Sequence, residues 1–328
     1  MTFLATLGLV AGLWLLALAA CSLAVAAVWP LVRRGLPDRH PDLRSRRVAG
    51  LAMAPMLVSG AAVVLCLAPG LLGLVGWTTD HCLAHPDHPH LCLVHPTAEL
   101  TATAALLLAA GIGALLLLAG HGARQVAGAR RIGAPFAALC TTQLAPGVDR
   151  VVSERPFSFT SGLLRPVAYV SSALCEALSP EALAVVVAHE RAHVRRRDPL
   201  RWIAAATLSL ALPPAVRREL IGELELASEQ ACDEAAARAV GDRLRVAETL
   251  LAAERLMASA DAGLRPAVAG LGGSAVPARV RSLLDAPRPR PRNRAGTIAL
   301  GLLAALALAA DPIHHGAEHL VEWLLLGH

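Results

Sequence analysis

Lysine is absent from this 328-residue chain, so all 30 cationic side chains are arginines. Aromatic residues make up only 3% of the sequence, with a single tyrosine, and charged residues only 17%, whereas 55% of the residues are hydrophobic. That is more apolar surface than one soluble core of this size needs, which excludes an ordinary soluble domain and points to a bilayer. No Lys or Arg precedes the first apolar stretch, and that stretch continues well past Cys21. A secretory signal is short and begins basic, so Leu18-Ala19-Ala20-Cys21, despite its likeness to a lipoprotein processing box, is not expected to be cleaved. Internal repeats are also lacking.

The apolar residues are gathered into four long runs almost free of charge, 2–32, 49–77, 98–120 and 295–313, the last uncharged only over 295–310, each able to cross the ~30 Å hydrocarbon layer that takes ~20 helical residues. Arginines crowd the connection 33–47, follow the third run as Arg124, Arg130 and Arg131, and precede the fourth as Arg288, Arg290, Arg292 and Arg294. Segments 78–97 and 311–328 have none. Because cationic loops resist translocation, this asymmetry predicts both termini outside and a long cytoplasmic segment, 121–294. The net charge of +5 is then explained by juxtamembrane arginines beside anionic lipid, without a nucleic-acid partner.

Of seven cysteines, Cys82 and Cys92 fall in the expected external loop 78–97, where an oxidising compartment would let them pair. The other five are assigned no chemistry. The same loop holds His81, His85, His88, His90 and His95, and His314, His315, His319 and His328 follow the fourth run. Imidazoles at that density can bind metal or change charge near pH ~6.5, but they lack a strict ligand spacing and read first as hydrophilic loop residues.

Within the cytoplasmic segment, 154–172 reads ERPFSFTSGLLRPVAYVSS, a strand pair around Ser161-Gly162. Ser179-Pro180-Glu181 starts a helix expected to reach about Arg197, and Asp198-Pro199 starts another, with its apolar body at 200–212. Further helices are expected over 215–240, stopped by Gly241, and over 243–259. The run 286–293, APRPRPRN, reads as an extended linker.

His189-Glu190-Arg191-Ala192-His193 is an HExxH motif inside the best-signalled of these helices. Residues four apart share a face, so both imidazoles can point at one metal ion, with Glu190 beside it as a proton acceptor. The motif is short enough to arise by chance. An apolar approach, 184–188, and a following helix rich in carboxylates favour the metal reading over a polar helix surface. Catalytic zinc needs a third protein ligand, and 219–234, ELIGELELASEQACDE, supplies the candidates. Glu229 with Asp233 is preferred, since the four-residue step puts both on one face, Asp233 to support a ligand histidine. Glu223 and Glu225 are the alternatives. Tyr169 is a candidate for stabilising the oxyanion, though an aromatic residue on a strand more often packs.

Ser158-Phe159, Gly162-Leu163 and Arg165-Pro166-Val167, then HERAHVRRRDPL ending at Leu200, then Glu229-x-x-Cys232-Asp233-Glu234, resemble the membrane metallopeptidases typified by the BlaR and MecR β-lactam sensor-transducers. The resemblance covers about 154–237 and extends to the four-span layout. It implies a mainly α integral membrane protein of four transmembrane helices, with a cytoplasmic zincin-like α+β metallopeptidase domain of the gluzincin kind between the third and fourth spans. It further implies zinc, with His189 and His193 as ligands, Glu190 as catalytic base, Glu229 as third ligand and Asp233 in support. In that family an external signal activates the peptidase, which cuts itself and triggers loss of a winged-helix repressor. The penicillin-binding domain that follows the fourth span in the β-lactam receptors has no counterpart in 311–328, so the chain resembles a member without that sensor. Expected partners are therefore a peptide or protein substrate, a winged-helix repressor among them, membrane lipid and a second copy of the chain. A quality-control protease resembling the HtpX type, and a noncatalytic metal-binding receptor, are the alternative readings.

Overall fold

The computed structural model describes residues 3–74, 76, 101–260 and 275–289, with isolated positions between 308 and 319. The loop 78–97, with Cys82, Cys92 and its histidines, lies outside the described residues, as do most of the fourth run and of the tail after it.

Three described helices are long and apolar enough to cross a membrane: α1 (Phe3–Arg34), α2 (Pro41–Leu74) and α3 (Ala102–Ala138). Small residues let α1 and α3 approach closely, with Gly8 against Ala104 and Gly111 against Ala11. A Cβ placed on Gly8 would stand 2.2 Å from the backbone oxygen of Ala104.

Two boundaries differ from the hydropathy reading. Arg44, Arg46 and Arg47, expected in a loop, belong to α2, because His40-Pro41-Asp42 provides a proline start with an acid in the first turn. The helix of the third run does not stop at Gly120 but continues through Arg124, Arg130 and Arg131 to Ala138, its alanines and arginines carrying the helix past Gly122, Gly128, Gly133 and Pro135. At 37 residues α3 is about 55 Å long, well beyond the hydrocarbon thickness.

The extension of α3 supports a four-stranded sheet built from β1 (Cys140–Ala145), β2 (Val148–Val151), β3 (Ser158–Ser161) and β4 (Val167–Ser171), in the order β1-β2-β4-β3. The expected pair, β3 and β4, is antiparallel with Phe159 opposite Tyr169 and Thr160 opposite Ala168. The β1–β2 hairpin was not anticipated, and β2 joins the sheet by parallel pairing to β4. Directly opposed residues share a face of a sheet and neighbours along a strand alternate. One face therefore carries Phe159 and Tyr169, which pack with Phe136 of α3 at ring-centroid distances of 4.9 and 6.0 Å. The other carries Ala168, Val170 and Val148, packed with Val186 of α5 (Pro180–Arg196) and Leu174 of the short helix α4 (Ser172–Ala177).

Beyond α5 come α6 (Asp198–Leu208) with a 3-10 turn Ser209–Ala211, α7 (Pro214–Val240), α8 (Arg243–Ala260) and a further helix, α9 (Val276–Leu284). The ends of α1 and α2 share one core with α6 and α7, in which Trp29, Leu36, Val48 and Ala52 are buried with Ala205, Leu212, Leu220 and Leu224. Arg33 pairs with Glu219 at 2.9 Å and Arg44 with Glu223 at 2.6 Å across the same junction. The connection between the first two membrane helices thus lies at the same end of the bundle as the segment bearing HExxH.

Replacing Gly8 by Ile should push α1 off α3 and destabilise the bundle by about 1–3 kcal/mol, the usual cost of overpacking. Thermal unfolding in detergent micelles, compared with Gly60→Ile, whose Cβ position meets nothing within 4 Å, checks this.

Candidate active site

Helix α5 begins as its sequence predicts. Ser179 caps it by accepting from Ala182 N, with Pro180 in the first position and Glu181 in the first turn. It ends at Arg197, the sole non-glycine residue of positive φ (53°) among the described residues. That left-handed residue lets the chain reverse tightly into α6, so that Asp198 folds back beneath His193.

His189 and His193 stand one helical turn apart on the buried side of α5, and Glu229 of α7 faces both. The two Nε2 atoms are 3.1 Å apart, His193 Nε2 is 3.4 Å from Glu229 Oε1, and His189 Nε2 is 3.5 Å from Glu229 Oε2. Zinc at ~2.0–2.1 Å from each of three tetrahedral donors would separate those donors by about 3.3 Å, so the triangle has the size of one face of such a site. Each imidazole is fixed from behind. His189 Nδ1 lies 2.9 Å from Asp233 Oδ1, and His193 Nδ1 lies 2.8 Å from Asp198 Oδ2. A carboxylate at Nδ1 keeps the proton there and turns the Nε2 lone pair to the centre, the arrangement a metal-ligating histidine needs. The chemistry of the donor set therefore fits a zinc ion.

The charges are balanced by arginines. Burial opposes ionisation of Glu229 and Asp233, but the Arg279 guanidinium together with the histidines they bond outweighs it and holds both carboxyls below their ordinary range, Glu229 well below. Arg279 donates from Nε and Nη2 to Asp233 at 2.9 and 2.7 Å, and its Nη1 lies 3.0 Å from Glu229 Oε2. Burial would lower the pKa of both imidazoles. For His189 the bonds to Asp233 and Glu229 reverse that, and His193 is held well above its ordinary value by the negative charge of Glu229 and by its bond to Asp198.

Glu190 is buried, and its Oε2 accepts a hydrogen bond of 3.0 Å from the Thr160 hydroxyl on β3, an outer strand of the sheet. Thr160 and Tyr169 occupy opposite faces, so Tyr169 turns into the aromatic cluster of Phe136 and Phe159 rather than toward Glu190, which removes it as an oxyanion candidate. Of the alternative acids, Glu223 is taken by Arg44, and Glu225, its carboxyl pushed up by burial and by the charge of Glu229, stays outside the group that converges.

Three participants were not foreseen. Arg279 lies on α9, a short helix whose sequence gives no sign of contact with residues 46 positions earlier. The sequence marks Asp198 only as a helix start. Cys232, assigned no chemistry, places its buried Sγ 3.6 Å from Asp198 Oδ2, with burial pushing the thiol up to about 11, so it remains a neutral donor.

Helices able to cross a membrane, joined to a domain in which an HExxH helix meets a carboxylate from a later helix, define a metallopeptidase-like membrane protein. The description of Peptidase family M48 matches residues 124–241, so a domain of that family is present from the extension of α3 to the end of α7. The match supports a metallopeptidase. No curated protein and no solved structure matches the chain.

Glu229 and Asp233 titrate below their ordinary values, so the stability they contribute is complete above the usual carboxyl pKa of ~4 and is lost as pH falls through the depressed values. Arg279→Gln removes the charge that holds them down. The metal-free variant should be about 3–5 kcal/mol less stable at neutral pH, and its acid transition should begin at higher pH, as followed by tryptophan fluorescence during acid titration.

Proposed function

We propose that the chain is a membrane-embedded zinc metalloendopeptidase, in which His189, His193 and Glu229 hold the metal, Asp233 orients His189, and Glu190 is the catalytic base. The observation that carries this reading is the triangle of donors 3.1–3.5 Å apart, with both histidines backed by carboxylates. A bound zinc ion would supply Lewis acidity to the scissile carbonyl and make water acidic enough to be deprotonated near neutral pH. Glu190 takes the proton of the attacking water and delivers it to the leaving nitrogen. Thr160 holds one oxygen of that carboxylate, which keeps it pointed and leaves the other oxygen to exchange the proton. Substrate backbone adds to the outer strand β3, which brings an extended peptide past Glu190. A purely structural metal site has no use for a carboxylate held in this way, which speaks against the noncatalytic receptor.

In the cell, the enzyme belongs to a signal-transduction system, with the peptidase domain cytoplasmic and both termini outside, and cleaves itself or a winged-helix repressor when an external signal arrives. The arginine distribution supports the orientation and the BlaR/MecR resemblance supports the role. A quality-control protease of the HtpX type would use the same residues and is equally compatible with a family M48 domain.

Glu190→Gln should keep zinc bound at one equivalent while peptide hydrolysis falls by about 10²–10⁴-fold, as expected on loss of a general base. Measuring zinc content and cleavage of a quenched peptide on purified full-length protein tests this. Hydrolysis undiminished in the variant would refute the assignment, and repressor loss persisting in cells that carry it would leave the quality-control role.

A further inference from the structure

One of the two histidines takes its orientation, through a chain of side chains, from the start of a membrane helix. Asp198, fully buried, stands 2.8 Å from His193 Nδ1 and accepts from Arg196 Nε at 3.1–3.2 Å. Arg196 continues away from the site, donating from Nη1 to Asp42 and from Nη2 to Ser45 Oγ, the latter at 2.8 Å. Asp42 and Ser45 lie in the first turns of α2, which then runs on as an apolar helix able to cross the bilayer. Arg201 adds a looser contact to Asp198 at 3.6 Å.

Simple docking of α2 onto the peptidase segment does not require this arrangement. The shared apolar core and the Arg44–Glu223 pair already join α2 to α7 without touching the site. Arg196 differs because its guanidinium is largely buried and uses all three nitrogens, one on the support of His193 and two on α2. A planar guanidinium has a rigid fork, so fixing two of its corners on α2 fixes the third. The position of Asp198, and with it the imidazole plane of His193, is thereby referred to the end of a membrane helix.

Resting on the zinc reading above, we propose that Arg196 and Asp42 are positioning residues for His193, so that the second membrane helix is part of the metal-binding apparatus. A shift of α2 against α5 and α6 then changes how firmly His193 is held, which links the membrane to the site without any new contact to substrate.

The test measures zinc affinity of full-length protein in detergent micelles by competition with a chromophoric chelator, a readout independent of activity. Partners of a ligand histidine affect metal affinity by 10–100-fold, and for this more distant pair a weakening of roughly tenfold is expected in Asp42→Ala and in Arg196→Lys. Asp42→Glu should restore most of it. Glu223→Gln, which breaks the Arg44 ion pair between α2 and α7 but has no connection to the site, should bind zinc as the wild type does. Wild-type affinity in Asp42→Ala overturns the proposal, and so does an equal loss in Glu223→Gln, which would reduce the effect to general docking. If Arg196→Lys does not fold, Asp42→Ala, at the start of its helix, decides alone. Wild-type protein that takes up no zinc would bring down the enzymatic reading itself, an outcome distinct from intact zinc binding that ignores Asp42.

Discussion

Two imidazoles facing each other at 3.1 Å, each with a carboxylate behind it, form the arrangement on which the rest of this fold depends. Buried carboxylates are costly unless paired, and besides Glu190, which Thr160 bonds, three lie against the imidazoles: Glu229, Asp233 and Asp198. Arg279 answers the first two and Arg196 the third. Arg279 comes from a helix late in the chain, whereas Arg196 sits on the same helix as the histidines and is held there by the start of α2. Much of the architecture can be understood as the means of bringing Arg279 and the α2 partners of Arg196 to one pair of histidines.

How much of this could be read from the residues depended on distance along the chain. The HExxH helix announced itself through Ser179-Pro180-Glu181, and the structure places its cap where those residues put it. The four-residue step puts Glu229 and Asp233 on one helix face, but Glu225 and Glu229 share that step, so the choice also draws on the resemblance; both Glu229 and Asp233 converge on His189. Between β3 and β4 the turn residues gave the pairing. The hairpin of β1 and β2 escaped because β1 is half-exposed and β2 joins the sheet by parallel pairing to β4, with β3 lying between them in sequence. Arg196 and Asp42 are 154 residues apart, and Arg279 and Asp233 are 46 apart. Among 30 arginines, with no lysine to contrast them, nothing local distinguishes the two that matter from those that flank the membrane.

Hydropathy read the membrane helices well in their middles and poorly at their ends. Apolar runs mark where lipid is, whereas a helix stops where its backbone finds other partners or a breaker. Hence α2 begins eight residues before its apolar run, with the Asp42 that Arg196 engages, and α3 continues past its own run to the aromatic face of the sheet. The residues that join membrane to site lie in those overhangs.

The unbroken course of α3 also works as a ruler. Ser161, at the end of the outer strand, donates a hydrogen bond to Ala129 O, nine residues beyond Gly120, where the apolar run finishes. At 1.5 Å per helical residue that sets the strand about 14 Å along the helix from the end of its apolar run. An extended polypeptide leaving the bilayer covers the same height in about four residues. The depth at which a chain can lie alongside this strand is thus written into the length of one rigid rod, and a single residue inserted into that rod would alter both its height and its facing.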